Sequence, residues 1–144
     1  MGERKPTNPK DLIGGTKLPL HLWPETATIL GSLGLLDGAL KYGRSNWRAK
    51  GVRMSIYVDA LKRHINALFE GEDLDPDSGL PHEAHILACA AIIVDSKAAG
   101  NLTDDRQYPG GYFALLKAMT PHVARLKTQY RRHHPKHYTI KDAK

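Results

Sequence analysis

One cysteine, Cys89, stands in 144 residues, so no internal disulfide can brace the fold. No apolar run approaches the roughly 20 residues that a membrane-spanning helix needs. Residues 1–10 are polar and carry two prolines, unlike the apolar core of a secretory signal. There is no internal repeat and no stretch with the alternation of a strand. Positive charge is almost missing from residues 70–105, where Lys97 alone faces nine acidic residues. These absences exclude a disulfide-braced scaffold and an integral membrane protein. They predict a single soluble, cytoplasmic domain with no membrane partner.

What is present is unevenly spread. The formal net charge is +6, but residues 1–69 carry +6, residues 70–105 carry −8, residues 106–124 carry +2 and residues 125–144 carry +6. Blocks of like charge repel, so the acidic middle needs exposure, a counter-charge or a cation. A nucleic-acid reader would show a basic face on its folded body, and this body has an acidic centre.

Helical spacing dominates the pattern. Residues 1–20 hold Pro6, Pro9, Gly14, Gly15 and Pro19 and predict an irregular arm. Pro24 opens a first predicted helix over residues 24–42, with Ala27, Leu30, Leu33, Leu36 and Leu40 near helical spacing and an end at Gly43. Its glycines Gly31, Gly34 and Gly38 permit close approach of a neighbour, at about 1 kcal/mol each against Ala. Residues 44–52 read as a loop. Ser55 reads as the N-cap of a second helix running to Phe69. Residues 70–80 form a turn-rich acidic loop. Pro81 opens a third helix to Ala99, apolar on all sides from Ile86 to Val94 and therefore expected to be enclosed. A fourth helix over residues 111–132 carries Phe113, Leu116, Met119, Val123, Leu126 and Tyr130 on one stripe, with Pro121 set to kink or split it. The predicted fold is all-α: a small four-helix bundle over residues 21–132, with the irregular arm before it and a mobile basic tail over residues 133–144.

Three constellations carry chemistry. The acidic loop, with Glu70, Glu72, Asp73 and Asp75, leads into His82 and His85, three apart on one helix face, and His64 late in the second helix can face the same junction. Carboxylates suit Mg²⁺ or Mn²⁺, and imidazoles shift the choice toward Mn²⁺, Zn²⁺ or Fe. The alternative is acidic residues favouring a helix dipole, with the histidines as capping or core groups. Lys41-Tyr42-Gly43 and Asn46-Trp47-Arg48 combine stacking rings, cations and an amide that can read a base edge. The same residues also fit a helix C-terminus with favourable cations and a Trp plugging the bundle. Asp59, Lys62, Arg63 and His64 fit either an i, i+4 ion pair on a wet face or a carboxylate beside phosphate-binding cations.

In this order, Lys41-Tyr42-Gly43, Asn46-Trp47-Arg48, Asp59 with Arg63-His64, Glu70-Gly71-Glu72-Asp73, Asp75, Ser78-Gly79-Leu80-Pro81-His82 and His85 resemble a bacteriophage family, the dATP/dGTP diphosphohydrolase N-terminal domain. The likeness covers roughly residues 7–98 and leaves residues 100–144 outside. It implies a phage protein, acting in the host cytoplasm, that converts dATP or dGTP to the monophosphate and pyrophosphate. It also implies kinship in activity with the Mg²⁺-dependent, all-helical MazG-type pyrophosphohydrolases. Those carry Glu-rich E-x-x-E and E-x-x-D motifs; here the second helix offers Asp59 and His64 and the third offers His82 and His85.

On the enzymatic expectation, Asp73, Asp75, His82 and His85 hold divalent metal, Mg²⁺ or Mn²⁺ first and Zn²⁺ as a further candidate. Asp59, His64 and Glu70 serve the catalytic step. Lys41, Tyr42, Asn46, Trp47, Arg48 and Arg63 bind a purine deoxynucleotide. The alternative expectation is a non-catalytic protein that binds or sequesters nucleotides. The apolar third helix and the glycine-lined first helix favour a homo-oligomer, with the number of subunits left open.

Overall fold

The computed structural model describes residues 8–144. The chain is mostly helical, as expected for a small bundle, with one two-residue parallel ladder. Part of the predicted irregular arm, residues 1–7, lies outside the described residues. Within the rest, Pro9–Gly14 forms a short helix, α1. Asn8 caps it by accepting from the Lys10 N–H at 2.9 Å, and proline occupies the first helical position.

The body consists of α2 (Glu25–Tyr42), α4 (Met54–Phe69) and α5 (His82–Ala98), with α2 and α4 both packed along α5. Gly34 sets the closest approach of α2 to α5. A Cβ there would collide with the Ala84 carbonyl and stand 2.9 Å from the Ala88 Cβ. Ala84 and Ala88 are accordingly the buried apolar residues of this seam, joined by buried His82 and Ser96. Helix α2 ends where Gly43 takes a φ of 92°, a value an L-residue rarely adopts.

Two short features interrupt the segment read as a loop. Asn46–Lys50 is a five-residue helix, α3, and Val52–Arg53 (β1) pairs in parallel with Leu102–Thr103 (β2). Contacts distant in sequence hold them. The Asn101 side chain donates to the Arg48 carbonyl at 2.8 Å, and the Val52 N–H donates to the Asn101 carbonyl at 3.2 Å. Ser55 is not the cap of α4, which falls on Arg53; the Ser55 N–H and hydroxyl both donate to Asp105.

The predicted fourth helix is split at Pro121 into α6 (Tyr112–Met119) and α7 (Pro121–Gln129). The two halves contact each other and pack on no body helix to a comparable extent, so they form an arm beside a three-helix body. Nor is α5 enclosed: Ala90, Ala91 and Val94 remain exposed. The tail, expected to be mobile, returns to the body. Thr139 caps a final turn over Ile140–Asp142, and Ile140 lies against Gly71 at the end of α4. No helix among the described residues is long and apolar enough to cross a membrane.

Candidate metal centre

The acidic segment between α4 and α5 is a tightly bonded loop. Asp75 drives it: its carboxylate accepts from the Ser78 N–H at 2.9 Å and the Ser78 hydroxyl at 2.8 Å, an Asx turn. Gly79 closes the turn at a φ of 72°, donating to the Asp75 carbonyl at 2.7 Å. The Asp75 N–H donates to the Leu80 carbonyl at 2.8 Å, and the His82 N–H donates to the Asp73 carbonyl at 3.1 Å. These bonds fix Asp75 over the first turn of α5, where His82 and His85 stand one turn apart.

His64 arrives from α4. Its Nδ1 lies 2.9 Å from His82 Nδ1, and its ring stacks on His85 at 4.6 Å between centroids and 15° between planes. His64, Asp75 and His82 each bring one donor atom within 4.8 Å of the others, a group that could hold a metal ion. The nearby bonds constrain the tautomers. His82 is buried, and its Nε2 lies 2.9 Å from Glu72 Oε1. A carboxylate accepts only, so Nε2 carries the hydrogen, and the neutral form of the ring has its lone pair on Nδ1, toward His64. The Ser78 hydroxyl gives its one proton to Asp75 and lies 2.7 Å from His85 Nε2. It therefore accepts from His85 Nε2–H, so that the neutral form of the ring has its lone pair on Nδ1.

Electrostatics favour a neutral His64 and an ionised Asp75. Burial pushes the His64 imidazole below its usual range, and His85 beside it adds to the shift. Burial opposes the Asp75 anion, but the Ser78 hydroxyl and N–H outweigh it and hold the carboxyl below its usual range. A neutral imidazole and an ionised carboxylate are the forms that bind metal. Lys41, bonded to Asp37 at 2.8 Å, is close enough to Asp75 to feel its charge.

The other candidate residues are placed elsewhere. Asp59 is exposed on α4 and forms no ion pair with Arg63. Glu70 ends α4 and, with Asp73, lines a surface hollow shared with Tyr138, Thr139 and Ile140; the Asp73 contribution to the loop is its carbonyl. Tyr42 is exposed at the end of α2, and Asn46 begins α3. Trp47 Nε1 donates to Asp95 at 2.6 Å, and Arg48 forms a forked pair with the same carboxylate at 2.7 and 2.8 Å. Arg48 and Trp47 draw Asp95 down to a pKa of about 2. Asp95 lies 13 positions along α5 from His82, roughly 20 Å at the helical rise. Within one chain, Trp47 and Arg48 thus serve the far end of α5. Ser78 and Asp95 are the partners that sequence reasoning missed. Asp75-x-x-Ser78 is a readable turn signature, whereas nothing local to Asp95 announces a partner 47 residues earlier. Cys89 is partly covered, and burial raises its pKa, as befits a packing residue.

A family model described as dATP/dGTP diphosphohydrolase, N-terminal, matches residues 7–106, which reach from before α1 to just past β2. A protein of Salmonella phage PMBT28 named dATP/dGTP diphosphohydrolase is 34% identical over 92 residues. That match covers 64% of this chain and 31% of the relative, so the shared part is about a third of the phage protein. No solved structure matches the chain.

Proposed function

The chain belongs to the dATP/dGTP diphosphohydrolase N-terminal family, and from that premise we propose that it is a metal-dependent hydrolase of purine deoxynucleoside triphosphates, releasing the monophosphate and pyrophosphate. The observation that carries this reading is the convergence of His64, Asp75 and His82. Two imidazoles and a carboxylate are a donor set for Mn²⁺ or Zn²⁺, and less so for Mg²⁺, which prefers oxygen. A divalent ion held there supplies Lewis acidity toward phosphoryl oxygens and a lowered pKa for bound water. The protein's own groups divide the remaining work. Glu72 holds His82 in the tautomer that presents Nδ1. Ser78 and Asp75 hold His85 so that its Nδ1 can take a proton from an attacking water. Lys41, released from its pairing with Asp37, adds positive charge for the phosphate chain.

A second reading rests on the 31% coverage of the phage relative. If turnover in such relatives belongs to the other two thirds, this part binds a nucleotide without changing it. One experiment separates the two. The protein is incubated with dATP, dGTP and other nucleotides in Mg²⁺, Mn²⁺ or Zn²⁺, then chromatographed before and after heat denaturation. Hydrolysis gives monophosphate and pyrophosphate beyond one equivalent, and His82→Ala removes it. Intact nucleotide released only on denaturation, with no product, establishes sequestration instead.

A further inference from the structure

The arm and helix α2 each carry an apolar stripe that this chain leaves bare. On the arm, Leu116, Met119, Val123, Leu126 and Tyr130 follow alternating steps of three and four and are 42–53% exposed. On α2, Ile29, Leu33, Leu36 and Leu40 follow steps of four, three and four and are 39–80% exposed. At 100° per residue this second stripe lies on the far side of α2 from Gly34, the residue pressed against α5. Alternating three-four spacing is the pattern by which two helices interlock side chains along a seam. The stripes are also similar in length: 11 positions on α2 and 14 on the arm, roughly 17 and 21 Å at 1.5 Å per residue.

We propose that the α6–α7 arm of one copy packs on the α2 stripe of a second copy, reciprocally, so that each copy supplies the fourth helix of its partner's bundle. Area is the first argument. A compact chain of this mass exposes roughly 7,400 Å², whereas this one exposes 12786 Å². The excess, to which the exposed N-terminal segment and tail also contribute, is several times the roughly 800 Å² per partner that a standard interface covers. Economy of contact is the second. A reciprocal exchange about a two-fold axis covers both stripes in both copies. Pairing α2 with its own copy would leave the arm bare. Charge is the third. The arm helices carry Lys117, Arg125 and Lys127 and no acidic residue, while α2 carries Glu25 in its first turn and Asp37, the latter paired with Lys41 on the same helix. The connection permits the exchange: residues 104–111 carry Pro109, Gly110 and Gly111, the last at a φ of 75°.

Cross-linking with defined cysteines tests this in the full chain. In a Cys89→Ser background, Leu36→Cys and Val123→Cys are made singly and together, with circular dichroism confirming helicity. Each single variant is oxidised alone, and the two are also mixed and oxidised. The expected result is twice the chain mass by light scattering, with an α2-to-arm cross-link in the mixture far exceeding either self-link. A monomeric mass overturns the proposal. So does a cross-link that forms only within one chain of the double variant, which would mean the arm closes on its own α2. A dominant self-link of Leu36→Cys overturns it too, because α2 would then be covered by α2.

Discussion

A carboxylate behind a ligating imidazole fixes which ring nitrogen carries the hydrogen and which faces the metal. In the proposed metal site Glu72 stands in that relation to His82, at 2.9 Å from Nε2, while its own side chain is half exposed. Removing its charge should therefore loosen the ligand without unfolding the chain. Glu72→Gln is expected to weaken Mn²⁺ or Zn²⁺ binding by about 10–100-fold in titration calorimetry, whereas Glu70→Gln, at the end of α4, leaves it unchanged. Equal affinities for Glu72→Gln and the unaltered protein would remove the positioning role. At this scale the sequence is legible where chemistry is local. His82 and His85 share a face because they are three apart, and the acidic loop must end where α5 begins. It is not legible where partners are remote. Trp47 and Arg48 look like a nucleotide-binding pair with Lys41 and Tyr42 beside them. They are turned instead to Asp95, and only the packing of α3 against α5 reveals it.

Helix positions follow from periodicity and from punctuation by Gly and Pro, so α2, α4, α5 and the break at Pro121 are readable in advance. The little helix α3 and the β1–β2 ladder are not, because five and two residues carry no period and depend on Asn101 from beyond α5. The glycines of α2 show how context divides one residue type. Gly34 faces the α5 backbone, whereas Gly38 meets nothing within 4 Å and has an ordinary helical conformation. Gly34→Ala should force the helices apart and lower stability by about 1–3 kcal/mol. Gly38→Ala should raise it by up to about 1 kcal/mol through the better helix former. Urea midpoints of the two variants should move in opposite directions. Movement in the same direction would mean that α2 does not approach α5 through Gly34.

For the whole molecule, the charge map and the fold meet at one place. The −8 segment contains the α4–α5 loop, where Glu72 and Asp75 face the histidines and Glu70 and Asp73 line the surface near the returning tail, while Asp95 and Asp105 hold α3 and the start of α4. What periodicity cannot show is that the fourth helix stands off the other three, since an apolar stripe looks the same whether its cover comes from its own chain or another. The consequence for stability is direct. The seam between α2 and α5 buries Ala84 and Ala88 as its apolar side chains, which are small, while Leu, Ile, Phe and Tyr side chains of α2, α4 and the arm stay in water. Since folding must outweigh roughly 1–2 kcal/mol of backbone entropy per residue, the proposed exchange of arms would supply part of the stability that so much uncovered apolar surface leaves wanting. An association that accompanies folding makes the melting temperature depend on concentration, because dilution favours the separated, unfolded chains. Thermal melts followed by circular dichroism over a 100-fold range of protein concentration should therefore rise in Tm with concentration. Leu36→Glu, placed in the middle of the α2 stripe, should lower Tm and flatten that dependence. A Tm that stays constant across the range for the unaltered protein would mean that the three-helix body is stable alone and that the bare stripes contribute nothing to it.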